Sequence, residues 1–116
     1  GSGSNPFVLT NLQVPRLGSV WECDLDCAGH APDKAFVFAT GAPATGTVFP
    51  YGEILVDTSS PRIFLKSAFH SGNTIRFAIP IPANLKLCGR SMVVQGLCQG
   101  APGGRLSNAI DLTLGL

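Results

Sequence analysis

Apolar and polar residues alternate with a period of two along much of this chain. In the segment NTIRFAIPIP, four apolar residues share one side of an extended strand: Ile75, Phe77, Ile79 and Ile81. Successive side chains of a strand point to opposite faces, so this alternation predicts a sheet with one buried face. No stretch keeps the apolar spacing of a helix over ten residues, and 14 Gly and 9 Pro separate the apolar runs. The chain is therefore predicted to be all-β.

Eight short strands follow from this pattern. They are Phe7–Leu12, Ser19–Asp26, Ala35–Thr40, Glu53–Asp57, Arg62–Phe69, Thr74–Ile81, Ser91–Cys98 and Leu106–Leu114. The segments GAPATGTVFPYG and CQGAPGGR are rich in Gly and Pro and are predicted to be connections. The predicted fold is an eight-stranded antiparallel β-sandwich with Greek-key or jelly-roll-like connections.

The inward positions of these strands define the predicted core. Its members are Phe7, Leu9, Trp21, Leu25, Phe36, Phe38, Leu55, Ile63, Leu65, Ile75, Phe77, Ile79, Val93, Ile110 and Leu112. Pro80 cannot donate a ladder hydrogen bond, so its end of the strand is expected at a sheet edge or leaving the sheet.

Length and charge exclude several classes of protein. We interpret the opening GSGS as an added flexible linker, so residues 1–4 are set aside and residues 5–116 form one domain. A net charge of +1 lacks the strong positive charge that is typical of nucleic-acid-binding proteins. No apolar run is long enough to cross a bilayer, and no signal peptide is found. Only 13% of the residues are charged, which leaves room for an oligomer or domain contact on the surface.

Four cysteines in so short a β-rich chain favour an extracellular protein with disulfides. Cys23 and Cys27 would stand roughly 13 Å apart on one extended strand, which is too far for a bridge unless the strand has ended. Cys88 and Cys98 flank a whole predicted strand and are farther apart still. Bridges from the second to the seventh strand are preferred, while a local Cys27 bridge across a turn stays open. A zinc site is disfavoured because no CxxC pair is present.

The segment VWECDLDC places Trp21 on the inward side and three acidic residues on the outward side. These acidic residues are Glu22, Asp24 and Asp26. We favour a solvated charged face over a calcium site, because same-face residues of a strand stand roughly 7 Å apart. We likewise favour a solvated turn over a catalytic pair in which Ser71 is the nucleophile and His70 the base. No metal, cofactor or catalytic residue is predicted.

Two side-chain types remain as binding or structural candidates. Tyr51, and with it Phe49, lies in a loop and is the candidate platform for sugar stacking. Asn108 and Gln95 share strand faces with apolar residues, and a buried amide must be hydrogen-bonded. We expect these amides to fix strand register at a bulge or a sheet end. The alternative for Asn108 is an isopeptide bond to Lys34 or Lys66, for which no inward acid is evident.

The order of several segments resembles a known module. These segments are PRLGSVWECDLDC, GEILVD, IRFAIPIPANLKLCG, VVQGL and RLSNAIDLTLGL. Together, from about Pro15 to Gly115, they resemble a C-terminal β-sandwich module of large secreted and cell-surface proteins of planctomycete-like bacteria. The resemblance implies a non-catalytic terminal domain, and it implies a scaffold role for Leu85, for residues 89–95 and for residues 106–108. The four cysteines depart from the pattern of many relatives.

The sequence therefore predicts a non-catalytic accessory module of a secreted or surface protein, which docks, anchors or adheres. Its expected partners are neighbouring domains, a surface protein or a glycan. A carbohydrate-binding module is the first alternative. A self-assembling structural subunit is the second, since exposed strand edges or an apolar face can join copies of a chain.

Overall fold

Nine β-strands and one short 3₁₀ helix are found in residues 5–116, which are the residues that the computed structural model describes. The strands are β1 (Leu9–Asn11), β2 (Val20–Asp26), β3 (Asp33–Thr40), β4 (Pro43–Phe49), β5 (Gly52–Val56), β6 (Arg62–His70), β7 (Thr74–Pro80), β8 (Ser91–Cys98) and β9 (Arg105–Thr113). The helix spans Leu85–Leu87. The predicted linker, residues 1–4, lies outside the described residues. Within that described part, no helix is both long and apolar enough to span a bilayer.

The strands form three sheets in which neighbouring strands run antiparallel, so the all-β antiparallel prediction is confirmed. One sheet has the order β1-β2-β7 and a second the order β6-β3-β8-β9, while β4 and β5 form a separate hairpin. The prediction of eight strands is wrong because β4 lies in a segment that we predicted to be a connection. Most residues of β4 are exposed, so the strand shows no apolar alternation.

One apolar cluster, which we call the inner core, draws on both larger sheets. The sheet β1-β2-β7 contributes its largest members, including the fully buried Trp21 and Leu25. The indole N–H of Trp21 donates to Asn11 Oδ1 at 2.8 Å, so this buried ring has a polar partner. The predicted inward sides of β2 and β7 are buried as expected.

Strand β3 turns its small residues inward, contrary to the predicted core. Ala35, Val37 and Ala39 are fully buried, whereas Phe36 and Phe38 are half-buried on the other face. The small side chains leave space for the large residues of β2. Strand β8 shows the same fit at Gly96, where an added Cβ would lie 2.7 Å from Leu25 Cδ1.

Several other predicted core residues lie at the surface. Phe7 is 90% exposed, and Ile63 and Leu65 of β6 are about half exposed. Leu55 is half-buried, whereas Ile75 and Ile110 are half-buried but pack against the inner core, as predicted. Strand β6 is the edge strand of its sheet, and the large side chains on its outward face are exposed to solvent.

The β4–β5 hairpin packs against the other face of β8 and β9 and creates a second buried region, the amide interior. Its apolar members Val56, Val93 and Leu106 do not belong to the inner core cluster. Its buried polar side chains are those of Asn5, Glu53 and Gln95. Strand β8 is therefore buried on both faces.

Candidate functional site

Tyr51 and Phe49 form a stacked aromatic pair at the tip of the β4–β5 hairpin. Their ring centroids are 5.0 Å apart and the ring planes differ by 2°. Phe49 pairs with Gly52, whose φ of +129° lies in a region that L side chains rarely adopt. Each residue is more than one third exposed, so the pair is accessible to a ligand.

A polar cleft of about 540 Å³ lies beside Tyr51. His30 and Arg105 line it, together with backbone of the loop 102–104. His30 Nδ1 lies 3.2 Å from the carbonyl oxygen of Gly100, which holds the imidazole against this loop. A flat ring beside polar side chains is a common composition for a small-molecule site. The sequence pointed to Tyr51, but His30 and Arg105 come from distant segments that no spacing rule connects to it.

His70 is buried at the end of β6, which corrects its predicted place in a solvated turn. Its Nδ1 accepts a hydrogen bond from the Gly72 backbone N–H at 3.0 Å, and its Nε2 donates to the Gln99 carbonyl at 2.7 Å. Both ring nitrogens are engaged by the backbone. The neighbouring Ser71 lies in the turn and bonds Asn73 Oδ1. His70 thus positions two loops and is not placed to activate Ser71.

A disulfide joins Cys27, just after β2, to Cys98 at the end of β8. It links the two larger sheets, which confirms one of the bridges preferred between the second and seventh strands, but the expected second bridge is not formed. Cys23 is a buried free thiol in the inner core, and Cys88 is an exposed free thiol. Burial, and secondarily the charge of Asp24, raises the pKa of Cys23 to about 12.

The acidic residues of β2 do not converge on one point. Asp24 faces Arg76 of β7 in register and forms an ion pair with it at 3.0 Å. Asp26 Oδ1 accepts the Ala28 backbone N–H. Among residues 5–116, no group of three or more His, Cys, Asp or Glu side chains is gathered as a metal site would require.

Asn108 binds the first strand to the last. Its Oδ1 accepts the backbone N–H groups of Val8 and Leu9 at 3.0 and 2.9 Å, and its Nδ2 donates to the Leu9 carbonyl at 3.0 Å. The residue lies at a register shift between β8 and β9. At this bulge, the Gly96 N–H donates to the Ser107 hydroxyl at 2.8 Å.

Gln95 and Asn5 share the same two acceptors in the amide interior. Both side-chain NH₂ groups donate to the carbonyl oxygens of Glu53 and Ser107, at 2.8–2.9 Å. Gln95 Oε1 accepts the Leu55 N–H, and Asn5 Oδ1 accepts the Glu53 N–H. These bonds dock strand β5 onto the β8–β9 pair.

Glu53 is an inward acid that our sequence analysis did not identify. It is 3% exposed, and its Oε2 accepts the Gly46 N–H at 2.8 Å. Lys34 and Lys66, the candidate amines of an isopeptide bond, are exposed. Lys66 instead donates to the Ala78 carbonyl across the gap between the two larger sheets.

The outward face of β3 and β6 carries an uncovered set of large apolar side chains, which we call the outer apolar patch. It consists of Phe36, Phe38, Leu65 and Phe69. Phe38 lies directly opposite Leu65 in register. Beside this pair is a cavity of about 350 Å³, also lined by Val56. The sequence did not reveal the patch because we had assigned three of its members to the core.

Comparison with known protein families, with curated proteins and with solved structures finds no match for this chain.

Proposed function

We propose that this chain is a non-enzymatic accessory module of a secreted or surface protein, which docks a neighbouring domain through the outer apolar patch. The exposure of this patch is the observation that supports the proposal. Leu65 is 51% and Phe69 76% exposed, next to two half-buried phenylalanines. Contiguous apolar surface of this kind is typical of protein interaction sites.

The surroundings of the patch indicate the chemistry of its partner. Lys34 faces Phe69 in register, with its ammonium 5.8 Å from the ring centroid, and Arg62 lies at the other end of β6. The cavity beside Phe38 and Leu65 offers a pocket for an apolar side chain. The partner is a protein surface with an apolar projection and acidic residues at its rim.

Hydrogen exchange of the full-length secreted polypeptide tests this docking. We expect the amides of residues 62–70 to exchange more slowly in the full-length chain than in the isolated module. Leu65→Gln together with Phe69→Gln should abolish that protection. The control is Val20→Gln, since Val20 is exposed on the opposite sheet. Equal exchange in the two chains would refute docking through this patch.

The proposal also covers the arrangement of the two larger sheets and the compartment in which the protein is found. We propose that the two larger sheets face each other as a sandwich, because both contribute to the inner core.

The Cys27–Cys98 bridge is compatible with an extracellular location. This fits the resemblance to modules of secreted bacterial proteins. Mass spectrometry of protein purified from its native compartment should show two hydrogens gained on reduction, whereas four alkylated thiols before reduction would contradict secretion.

A carbohydrate-binding module is the second candidate, and the stacked pair Phe49–Tyr51 beside the polar cleft favours it. Sugars bind by laying apolar ring faces on aromatic side chains. We expect Tyr51→Ala to abolish binding of an oligosaccharide such as cellotetraose or chitotetraose in a calorimetric titration. Phe7→Ala, at an exposed ring outside the cleft, is the control. If neither sugar binds saturably, the aromatic pair and the polar cleft no longer support a carbohydrate-binding function.

Self-assembly through strand edges is the third candidate. Edge strand β6 carries Lys66, which reaches across to the β7 carbonyl of Ala78, and edge strand β7 carries Pro80. Charged side chains and Pro on an edge are typical means of preventing strand addition. We therefore expect light scattering to report a monomer. A concentration-dependent dimer would favour self-assembly over docking of another domain.

A further inference from the structure

A second cleft lies at the end of the molecule opposite the Cys27–Cys98 bridge. There strands β6 and β8 begin and strands β7 and β9 end. Its volume is about 740 Å³, which is larger than that of the cleft beside Tyr51 and within the range of small-molecule sites. Its apolar lining is mostly aliphatic and includes Ile79, Ile81, Leu87, Met92 and Leu114.

The charged residues in the lining are all cationic. Arg62 and Arg90 line this cleft, and no Asp or Glu does, so we call it the arginine cleft. Both arginines are exposed. The one ion pair found in residues 5–116 joins Asp24 to Arg76, so neither arginine of the cleft is neutralised by a described carboxylate.

We propose that the arginine cleft binds a free long-chain alkyl carboxylate, which is a fatty acid in chemical class. The guanidinium group presents planar donors that match a carboxylate, and it stays charged at all physiological pH values. An unbranched alkyl chain suits the aliphatic lining, which lies in contact with the inner core through Met92 and Leu114. The arginine cleft shares Arg62 with the cavity beside the outer apolar patch, whereas Arg90 lines the arginine cleft alone. The proposal does not depend on the docking function.

Calorimetric titration with three twelve-carbon amphiphiles tests the proposal, with the two ionic probes kept below their micelle concentrations and the alcohol below its solubility limit. The probes are dodecanoate, uncharged dodecanol and cationic dodecyltrimethylammonium. We expect saturable binding of dodecanoate, binding of dodecanol weaker by about tenfold or more, and no binding of the cation. The expected ratio reflects loss of a charge-assisted hydrogen bond.

Variants then test the arginines. Arg62→Gln and Arg90→Gln should each weaken dodecanoate binding by about tenfold. The control is Arg105→Gln in the polar cleft, which should leave the affinity unchanged. Arg62, Arg90 and Arg105 are all exposed, so a melting curve suffices to show that the three variants fold.

The position of the ligand supplies an independent readout. Methyl NMR spectra should show dodecanoate shifting the signals of Leu87 and Met92. Lack of saturable binding, equal binding of the three amphiphiles, or shifts confined to Leu65 in the outer apolar patch would each overturn the proposal.

Discussion

The two faces of strand β8 lead into interiors of different chemistry. Met92 and Val94 enter the inner core, where they pack against aliphatic and aromatic side chains. Gln95, between Val94 and Gly96, enters the amide interior and forms hydrogen bonds at three backbone groups. Apolar burial is not directional, so it specifies which face of a strand is buried but not which individual groups are paired. The amide bonds have defined partners, and they determine where the hairpin sits.

This difference predicts different consequences of mutation. In the inner core, the loss of a side chain removes apolar contacts and leaves a cavity, which lowers the stability of both larger sheets. In the amide interior, the loss of an amide leaves backbone groups without partners and loosens the hairpin first. The predictions below separate global from local effects.

The largest effect is expected for Trp21→Ala in the inner core. The fully buried indole packs near Phe64 of the other larger sheet, with ring centroids 6.4 Å apart. Its removal should lower the free energy of unfolding by about 3–5 kcal/mol in urea titration. Val20→Ala, at the exposed neighbouring position, should change it by less than about 0.5 kcal/mol. Similar losses for both variants would show that the inner core does not dominate stability.

A smaller effect is expected for Gly96→Ala, which adds one methyl group to the inner core. The new Cβ would lie 2.7 Å from Leu25 Cδ1 and 3.3 Å from Ser107 Oγ. Overpacking should cost about 1–3 kcal/mol, measured by urea unfolding. Gly41→Ala is the matched control, since nothing lies within 4 Å of a Cβ there. A neutral Gly96→Ala would mean that Leu25 can move, and hence that the inner core is loosely packed.

In the amide interior, Gln95→Leu should cost about 1–2 kcal/mol, chiefly because the Leu55 N–H loses its acceptor. The Glu53 and Ser107 carbonyls keep Asn5 as a donor. Hydrogen exchange should accelerate in β5 while the amides of Val37 and Val94 stay protected.

A double-mutant cycle with Asn5→Ala sharpens this prediction. Because the two amides share acceptors, the double variant should lose more stability than the sum of the single variants, by about 0.5 kcal/mol or more. Additive losses would show that the amides act independently. Accelerated exchange throughout the chain would show that the two interiors open together, which contradicts the proposed difference.

The sequence predicts the inner core better than the amide interior, and for a physical reason. Strands β2 and β7 alternate between apolar and polar residues, which identifies the buried side. In β3 the run Ala35–Ala39 is apolar on both sides, so alternation does not identify the inward face, and the small residues were the ones buried. Packing against Trp21 and Leu25 decides which face of β3 is buried, and this packing depends on the tertiary structure.

The amide interior depends on contacts between distant segments. Asn5 is 102 residues from its acceptor on Ser107, and Gln95 is 42 residues from its acceptor on Glu53. An amide at an apolar position shows that a partner must exist, but it does not say which group that partner is. The missed strand β4 made Glu53 and the hairpin harder to place. The arginine cleft was missed for the same reason, since it is formed by several strands.

The smallest effect concerns Cys23, the free thiol of the inner core, and it emerges only at high pH. Burial raises its pKa from 9.0 to about 12, so the folded protein keeps a neutral thiol where the unfolded chain already forms a thiolate. Its contribution to stability is complete below about pH 9 and declines as the pH rises from there towards 12. Urea titrations from pH 8 to 10 should therefore show a steeper loss of stability in the wild type than in Cys23→Ala.

Thiol labelling at pH 8 supplies the control for that experiment. The exposed Cys88 should react with iodoacetamide in the native protein, whereas Cys23 should react only after unfolding. Cys88→Ser should then remove the native reaction without altering the pH slope. Rapid labelling of Cys23 in that variant would show that water and reagent enter the inner core, and the difference between the two interiors would no longer hold.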